Sequence, residues 1–298
     1  MKRLIFILIA IAGIGSIYGQ QSPLYTQYIQ NPFVINPAVA GTLNFFQIKL
    51  IQRIQWIGFN DAPITTSISF FGPFSGKNKD MGYGATMFND ITGPTSRLGA
   101  RGSYAYNIKI STTQRISFGA ALGIMQYRVD GTKLNLVSDP ASPQTVTSIP
   151  LLDGLVGVYF WDSNLQIGVS SDNLFNNSIN LDNSGNAKAL SKLNRDLYAF
   201  SSYRYNVNRR WSVEPALGVR FVGPSVVQFD IMTRVEYQRM LSFGVSYRLQ
   251  DAVSLFGGYY FNKHIYLGYS WDISTSQIIH YSFGTHEFLI GYRFNSLR

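Results

Sequence analysis

The sequence has no cysteine, which excludes a disulfide scaffold, a thiolate metal site and a lipid-modified cysteine. It is also short of charge. Asp, Glu, Lys and Arg make up 14% of the chain, where about a quarter is usual for a soluble domain. Beyond its first residues it lacks any run of about 18 apolar residues, so helical membrane spans are excluded. Histidine is scarce as well: His264, His280 and His286 are the whole set. His286 and Glu287 would point to opposite faces of a strand, so they form no ligand pair. Ser282 and His280 share one short loop, but nothing in the sequence orients them. No HExxH, phosphate-binding glycine loop or EF-hand loop occurs. The expectation is a protein that is not an enzyme and carries no cofactor or metal. The formal charge of +9 is no sign of nucleic-acid binding, because the basic residues are scattered rather than clustered.

Aromatic residues and glycine are plentiful, at 15% aromatic and 27 glycines. The chain opens with Lys2 and Arg3, then an apolar stretch from Leu4 to Ile14, then the small residues Ser16 and Gly19. This order predicts a secretory leader over residues 1–19, cleaved before Gln20. An exported, aromatic, glycine-rich and charge-poor chain points to the outer membrane of a bacterium.

From about residue 44 the chain alternates with period two. In "MLSFGVSYRLQ", Leu241, Phe243, Val245 and Tyr247 share one face, while Ser242, Gly244, Ser246 and Arg248 share the other. "HIYLGYSWDIS" and "VVQFDIMTRVEY" repeat the pattern, with charges confined to one side. Strands are expected near 44–56, 63–71, 81–89, 95–107, 114–127, 152–160, 164–171, 195–206, 210–222, 225–237, 239–249, 252–261, 263–273 and 285–294. Most run to about ten residues, the length a tilted membrane-crossing strand needs, whereas soluble strands average about five or six. The fold class is therefore all-β, a transmembrane antiparallel barrel of about fourteen strands over residues 44–298. The patterning is weakest at 63–71 and 164–171. Pro215 is expected at a bulge. The long connections, 128–151 and 172–194, are expected outside the cell. Glu214, Arg220, Asp230, Arg234, Glu236, Arg248, Asp272, Glu287 and Arg293 fall on the lumen side. Their mixed signs suit an internally paired interior better than an ion filter.

Between leader and barrel, residues 20–43 contain "YTQYIQNPFVINPAVAG". Its two Asn-Pro pairs suit neither a long helix nor a central strand, yet its side chains are apolar. This segment is expected to fold against the periplasmic mouth of the barrel or into it, as a plug, with Asn31 and Asn36 closing local turns.

The stretch Gln27–Gly41 resembles the mature N-terminus of the PorP/SprF family of Bacteroidota outer-membrane proteins. "AVSLFGGYYF" (252–261), "IYLGYSWDIS" (265–274) and "GTHEFLIGYRF" (284–294) follow in the order that family shows. Ser22-Pro23 stands where the family usually has Asp-Pro. The resemblance implies an outer-membrane barrel of the type IX secretion and gliding machinery. It implies as partners a secreted adhesin, or periplasmic and outer-membrane components of that machinery. Gln27, Tyr28, Asn31, Pro32, Asn36, Pro37, Ala38 and Gly41 are its signature positions, with partner docking as their candidate role. A second class stays open at this point: an outer-membrane diffusion channel for small solutes.

Overall fold

The computed structural model describes residues 24–74, 80–133, 145–179, 191–223 and 226–294; the leader lies outside the described residues. Fourteen long strands follow the alternating runs: β1 (Phe46–Ile54), β2 (Ile64–Pro73), β3 (Met81–Thr92), β4 (Thr95–Lys109), β5 (Arg115–Asp130), β6 (Leu151–Trp161) and β7 (Leu165–Asp172). The second half supplies β8 (Asp196–Tyr203), β9 (Trp211–Val222), β10 (Val226–Tyr237), β11 (Leu241–Arg248), β12 (Ala252–Phe261), β13 (Ile265–Ser274) and β14 (Thr285–Phe294). Each pairs antiparallel with its sequence neighbours. β14 returns to β1, with Phe46 opposite Phe294 and Ile54 opposite His286, and this pairing closes the barrel. Closure satisfies every strand edge, which a lipid environment demands because an unpaired N–H or C=O there costs several kcal/mol.

The two weakly patterned strands are regular members of the wall, β2 paired with β1 and β3 and β7 with β6 and β8. Pro215 does not sit at a bulge. It lies in unbroken register opposite Thr233 of β10, while on its other side β8 stops at Tyr203 and pairing resumes only at Tyr205. The missing N–H thus faces a gap in the ladder, which removes the need for an extra residue.

Strand alternation sorts the side chains. Ile231, Val245, Leu255, Leu267 and Ile290 are exposed on the outer surface, and Ser242, Ser246, Arg248, Ser270 and Asp272 are buried inside. Exposed Tyr106, Phe118, Trp211, Phe261 and Tyr292 sit near one set of strand ends, and Phe221, Tyr247 and Trp271 near the other. These are the two aromatic girdles of a membrane band.

Both ends of the strand series, the start of β1 and the end of β14, lie at one end of the barrel. The turns there include 162–164, 238–240 and 262–264, whereas the described residues 131–133, 148–150, 173–177 and 193–195 belong to the longer connections at the opposite end. Short turns mark the periplasmic end of such barrels. In one of them Asp162 accepts backbone N–H bonds from Asn164 at 2.6 Å and Leu165 at 2.7 Å. Those two bonds hold its carboxyl below the ordinary range.

Ile231, at mid-strand and 57% exposed, tests the facing. Ile231→Arg should destabilise the barrel in phospholipid vesicles by about 2–4 kcal/mol, and Ile231→Leu by much less. Equal urea midpoints for the two would place this face away from lipid.

Candidate functional site in the barrel lumen

The segment that begins at Leu24 does not stop at the mouth. It runs through the lumen, and its first residues lie in the outer half of the barrel. Thr26 touches Arg53, Asp272 and Glu287, all near the outer ends of β1, β13 and β14. At the other end, Ala40 and Gly41 press on Gly82, at the periplasmic start of β3. The segment's apolar side chains find their partners along much of the lumen.

Two short 3-10 turns shape it, Pro32–Val34 and Pro37–Val39. Each opens with proline, whose missing N–H is no loss in a first turn and whose φ is already set. Asn36 caps the second turn: its Oδ1 accepts from Ala38 N at 3.0 Å. Its Nδ2 meanwhile donates to the carbonyls of Val158 at 3.0 Å and Val169 at 3.3 Å, on two wall strands. Asn31 departs from expectation. Its side chain closes no turn but donates to Ser69 Oγ at 3.0 Å. That hydroxyl in turn donates to the carbonyl of Lys49 at 3.4 Å, so the asparagine joins a buried chain of bonds on the wall.

Every signature residue therefore faces the lumen. Gln27, Asn31, Asn36 and Ala38 are fully buried, Tyr28 and Pro37 are buried, and Pro32 and Gly41 are half-buried. Wall glycines make room for them. A Cβ on Gly82, Gly119, Gly157, Gly218 or Gly268 would come within 3.0 Å of Ala40, Ala38, Asn36, Tyr28 or Gln27 respectively. Much of the glycine in this chain thus serves close approach between segment and wall.

The apolar residues of the segment join inward-facing wall residues in one core. Phe33, 1% exposed, stacks on Phe71 with ring centroids 4.3 Å apart. Tyr28 meets Phe200 edge-on. Ile51, Met232, Phe256 and Leu289 complete the same cluster. Sequence reasoning missed these wall residues. Their signal was a broken alternation: Leu50-Ile51, Phe70-Phe71, Ile231-Met232 and Phe288-Leu289-Ile290 place apolar side chains on both faces. A lumen position that is apolar is dry, and something apolar must cover it.

The lumen charges are arranged in pairs. Arg53 sits at the centre of the outer cluster. Its guanidinium reaches Asp272 at 2.7 Å, Glu287 at 3.2 Å and Thr26 Oγ1 at 2.9 Å. Glu287, which is 0% exposed, also accepts from the backbone N–H groups of Thr26 and Gln27, both at 2.9 Å. Arg248 adds contacts to Asp251 and Asp272. Further round the wall, Arg101 bridges Asp153 and Asp172, Arg220 pairs with Asp196, and Arg204 and Arg234 share Glu214 and Glu236. The charges expected in the lumen are there and largely paired. Arg53, Arg101, Asp153, Asp172 and Asp196 were missed, although the alternation of β1 and β4 put Arg53 and Arg101 in the inward phase.

His286 bonds Tyr269 at 2.6 Å at the barrel exterior, and Ser282 is engaged with Gly284 N in its own loop. Among the described residues no group of His, Asp and Glu is placed to hold a metal ion.

The structure resembles solved outer-membrane channels. One is the CymD monoaromatic hydrocarbon channel: TM-score 0.50, 11% identity, 95% of this chain and 94% of that one. Another is the Pseudomonas putida toluene transporter TodX: TM-score 0.51, 14% identity, 92% of this chain and 95% of that one. At such identities the likeness concerns the fold alone. No curated protein matches the chain. Residues 17–292 match the family described as type IX secretion system membrane protein PorP/SprF. That match spans lumen segment and barrel together, so the chain is an outer-membrane β-barrel that belongs to the PorP/SprF family of type IX secretion system membrane proteins.

Proposed function

We propose that the barrel is a sealed docking component of type IX secretion, assisting the secretion or surface attachment of a large adhesin or holding periplasmic parts of the machinery. In this reading residues 1–19 are a removed leader, residues 20–43 are the plug and residues 44–298 are the membrane body. The observation that carries it is the occupied lumen. A diffusion channel needs a continuous path, and here the dry core around Phe33 and the ion-paired cluster around Arg53 both lie across that path. The buried signature residues act in this reading by fixing the plug, while the half-buried Pro32 and Gly41 lie at its periplasmic half. The partner would meet the surface the fixed plug presents at the periplasmic mouth. Channel function in the neighbours of similar fold belongs to those proteins.

The test uses the full-length protein in its own membranes. Mild-detergent purification should recover secretion-system or adhesin chains, and reconstituted barrels should hold a closed baseline in planar bilayers. Barrels that conduct steadily and co-purify with no such chain would favour the diffusion channel instead.

A further inference from the structure

At the periplasmic mouth, between the plug and the wall, lies a polar cavity of about 430 Å³. Lys49, Arg293, Gln30, Gln47, Tyr266 and Trp161 are among its lining residues. Lys49 and Arg293 occupy inward positions on the paired strands β1 and β14. The register sets Lys49 opposite Gly291 and Arg293 opposite Gln47, so the two cations are diagonal neighbours with no side chain of Gly291 between them. Diagonal positions on one sheet face lie about 7–8 Å apart, within reach of long side chains. Like charges there repel.

Their surroundings differ from those of most lumen cations, Arg97 over the Phe88 ring excepted. Arg53, Arg101, Arg220, Arg234 and Arg248 each have a carboxylate partner. Among the described residues neither Lys49 nor Arg293 has one within 4.0 Å. The acids that line the same cavity are already engaged: Glu236 with Arg204 and Arg234, Asp162 with two backbone N–H groups. Lys49, 6% exposed, donates one N–H to the carbonyl of Gln30 and keeps two more. Arg293 donates to the Tyr260 hydroxyl, its guanidinium stacked 4.0 Å from that ring and 5.0 Å from Phe45, and its Nε has no partner. The side-chain amide of Gln30 is likewise unmatched. A buried lysine and a half-buried arginine that line one cavity, with spare donors and no carboxylate partner, make a receptor for negative charge.

We propose that this mouth cavity is an oxyanion site that takes a carboxylate or phosphate group, held between Lys49 and Arg293. The exposed Arg239 at its rim adds attraction for an anion approaching from the periplasm. The volume accommodates such a group with some water, each water taking about 30 Å³. The site goes beyond the docking role and does not depend on it.

The experiment uses purified full-length barrel in detergent, with ionic strength held constant by sodium chloride. Inorganic phosphate and N-acetylglutamate are the two probes, and the apparent unfolding temperature is followed against probe concentration. At least one probe should give a saturable rise, and which one does identifies phosphate or carboxylate as the preferred group. Arg293→Gln and Lys49→Gln should each abolish the saturable rise, whereas Arg115→Gln, which removes an exposed pair with Asp80, should retain it. Should either variant fail to fold, the unaltered protein supplies the second measurement. The part of the fluorescence that Trp161→Phe removes should change with the same probe and not with chloride. No saturable response to either probe, or the same response in both folded lumen variants, overturns the site.

Discussion

Replacing Arg53 with methionine should destabilise the folded barrel by about 3–5 kcal/mol, the usual cost of stripping one partner from a buried ion cluster. Its guanidinium contacts Asp272, Glu287 and Thr26 at once, and all are buried. Without it, Glu287 keeps only the backbone N–H groups of Thr26 and Gln27, and Asp272 keeps the Thr26 hydroxyl and Arg248 at 3.8 Å. The loss therefore falls on the plug as well as on the wall. Arg53→Met/Glu287→Gln should recover part of the stability, because the second change removes a charge that the first one stranded. Urea midpoints of the four proteins of that cycle, measured in phospholipid vesicles, decide the matter. Strictly additive losses would mean that Arg53 and Glu287 are not coupled.

The second large effect concerns passage through the lumen. Gly119→Val and Gly157→Val, made together, should turn a sealed barrel into a conducting one. Each new side chain would occupy space now held by Ala38 or Asn36, and overpacking of this kind typically costs about 1–3 kcal/mol per site. Among the described residues the plug is linked covalently to the wall at its C-terminal end, so it is the element able to give way; the wall is locked by its hydrogen-bonded ladder. Gly102→Val is the control, since a Cβ there meets nothing within 4 Å. Planar-bilayer recording should show discrete openings for the double variant and a closed baseline for the control. A double variant that folds and stays closed would remove the sealing role from the plug.

The barrel wall was legible in the sequence because lipid enforces a strict rule. Most outward positions must be apolar, and a one-residue error would reverse each strand. Leu241, Phe243, Val245 and Tyr247 declare the facing of β11 with no help from the structure. The lumen obeys a looser rule. Inward residues may pair, bond to backbone or pack against apolar groups, and alternation does not say which. Arg53 and Arg101 could be placed inside, but their partners on β13, β14, β6 and β7 depend on how far the sheet curls before it closes. The path of the plug was hidden for the same reason. Asn31-Pro32 and Asn36-Pro37 announced two turns, and the apolar residues announced burial. Which wall positions receive them is written in Gly119, Gly157 and Gly268, scattered along the chain with no periodicity to connect them.

The bonds from Thr26 and Gln27 to Glu287 carry a consequence for the order of assembly. They join residues 261 and 260 positions apart, most of the length of the chain. Contacts so distant in sequence arrive late, because the entropy of closing the loop is lost before the contact returns anything. Glu287 belongs to β14, and β14 is also the strand that meets β1 to complete the ring. Seaming of the cylinder and capture of the first residues are thus a single event on the folding path. A chain that lacks its final strand has no closed wall, and its early residues keep only their contacts to the other strands, such as those of Thr26 with Asp272 and Arg53.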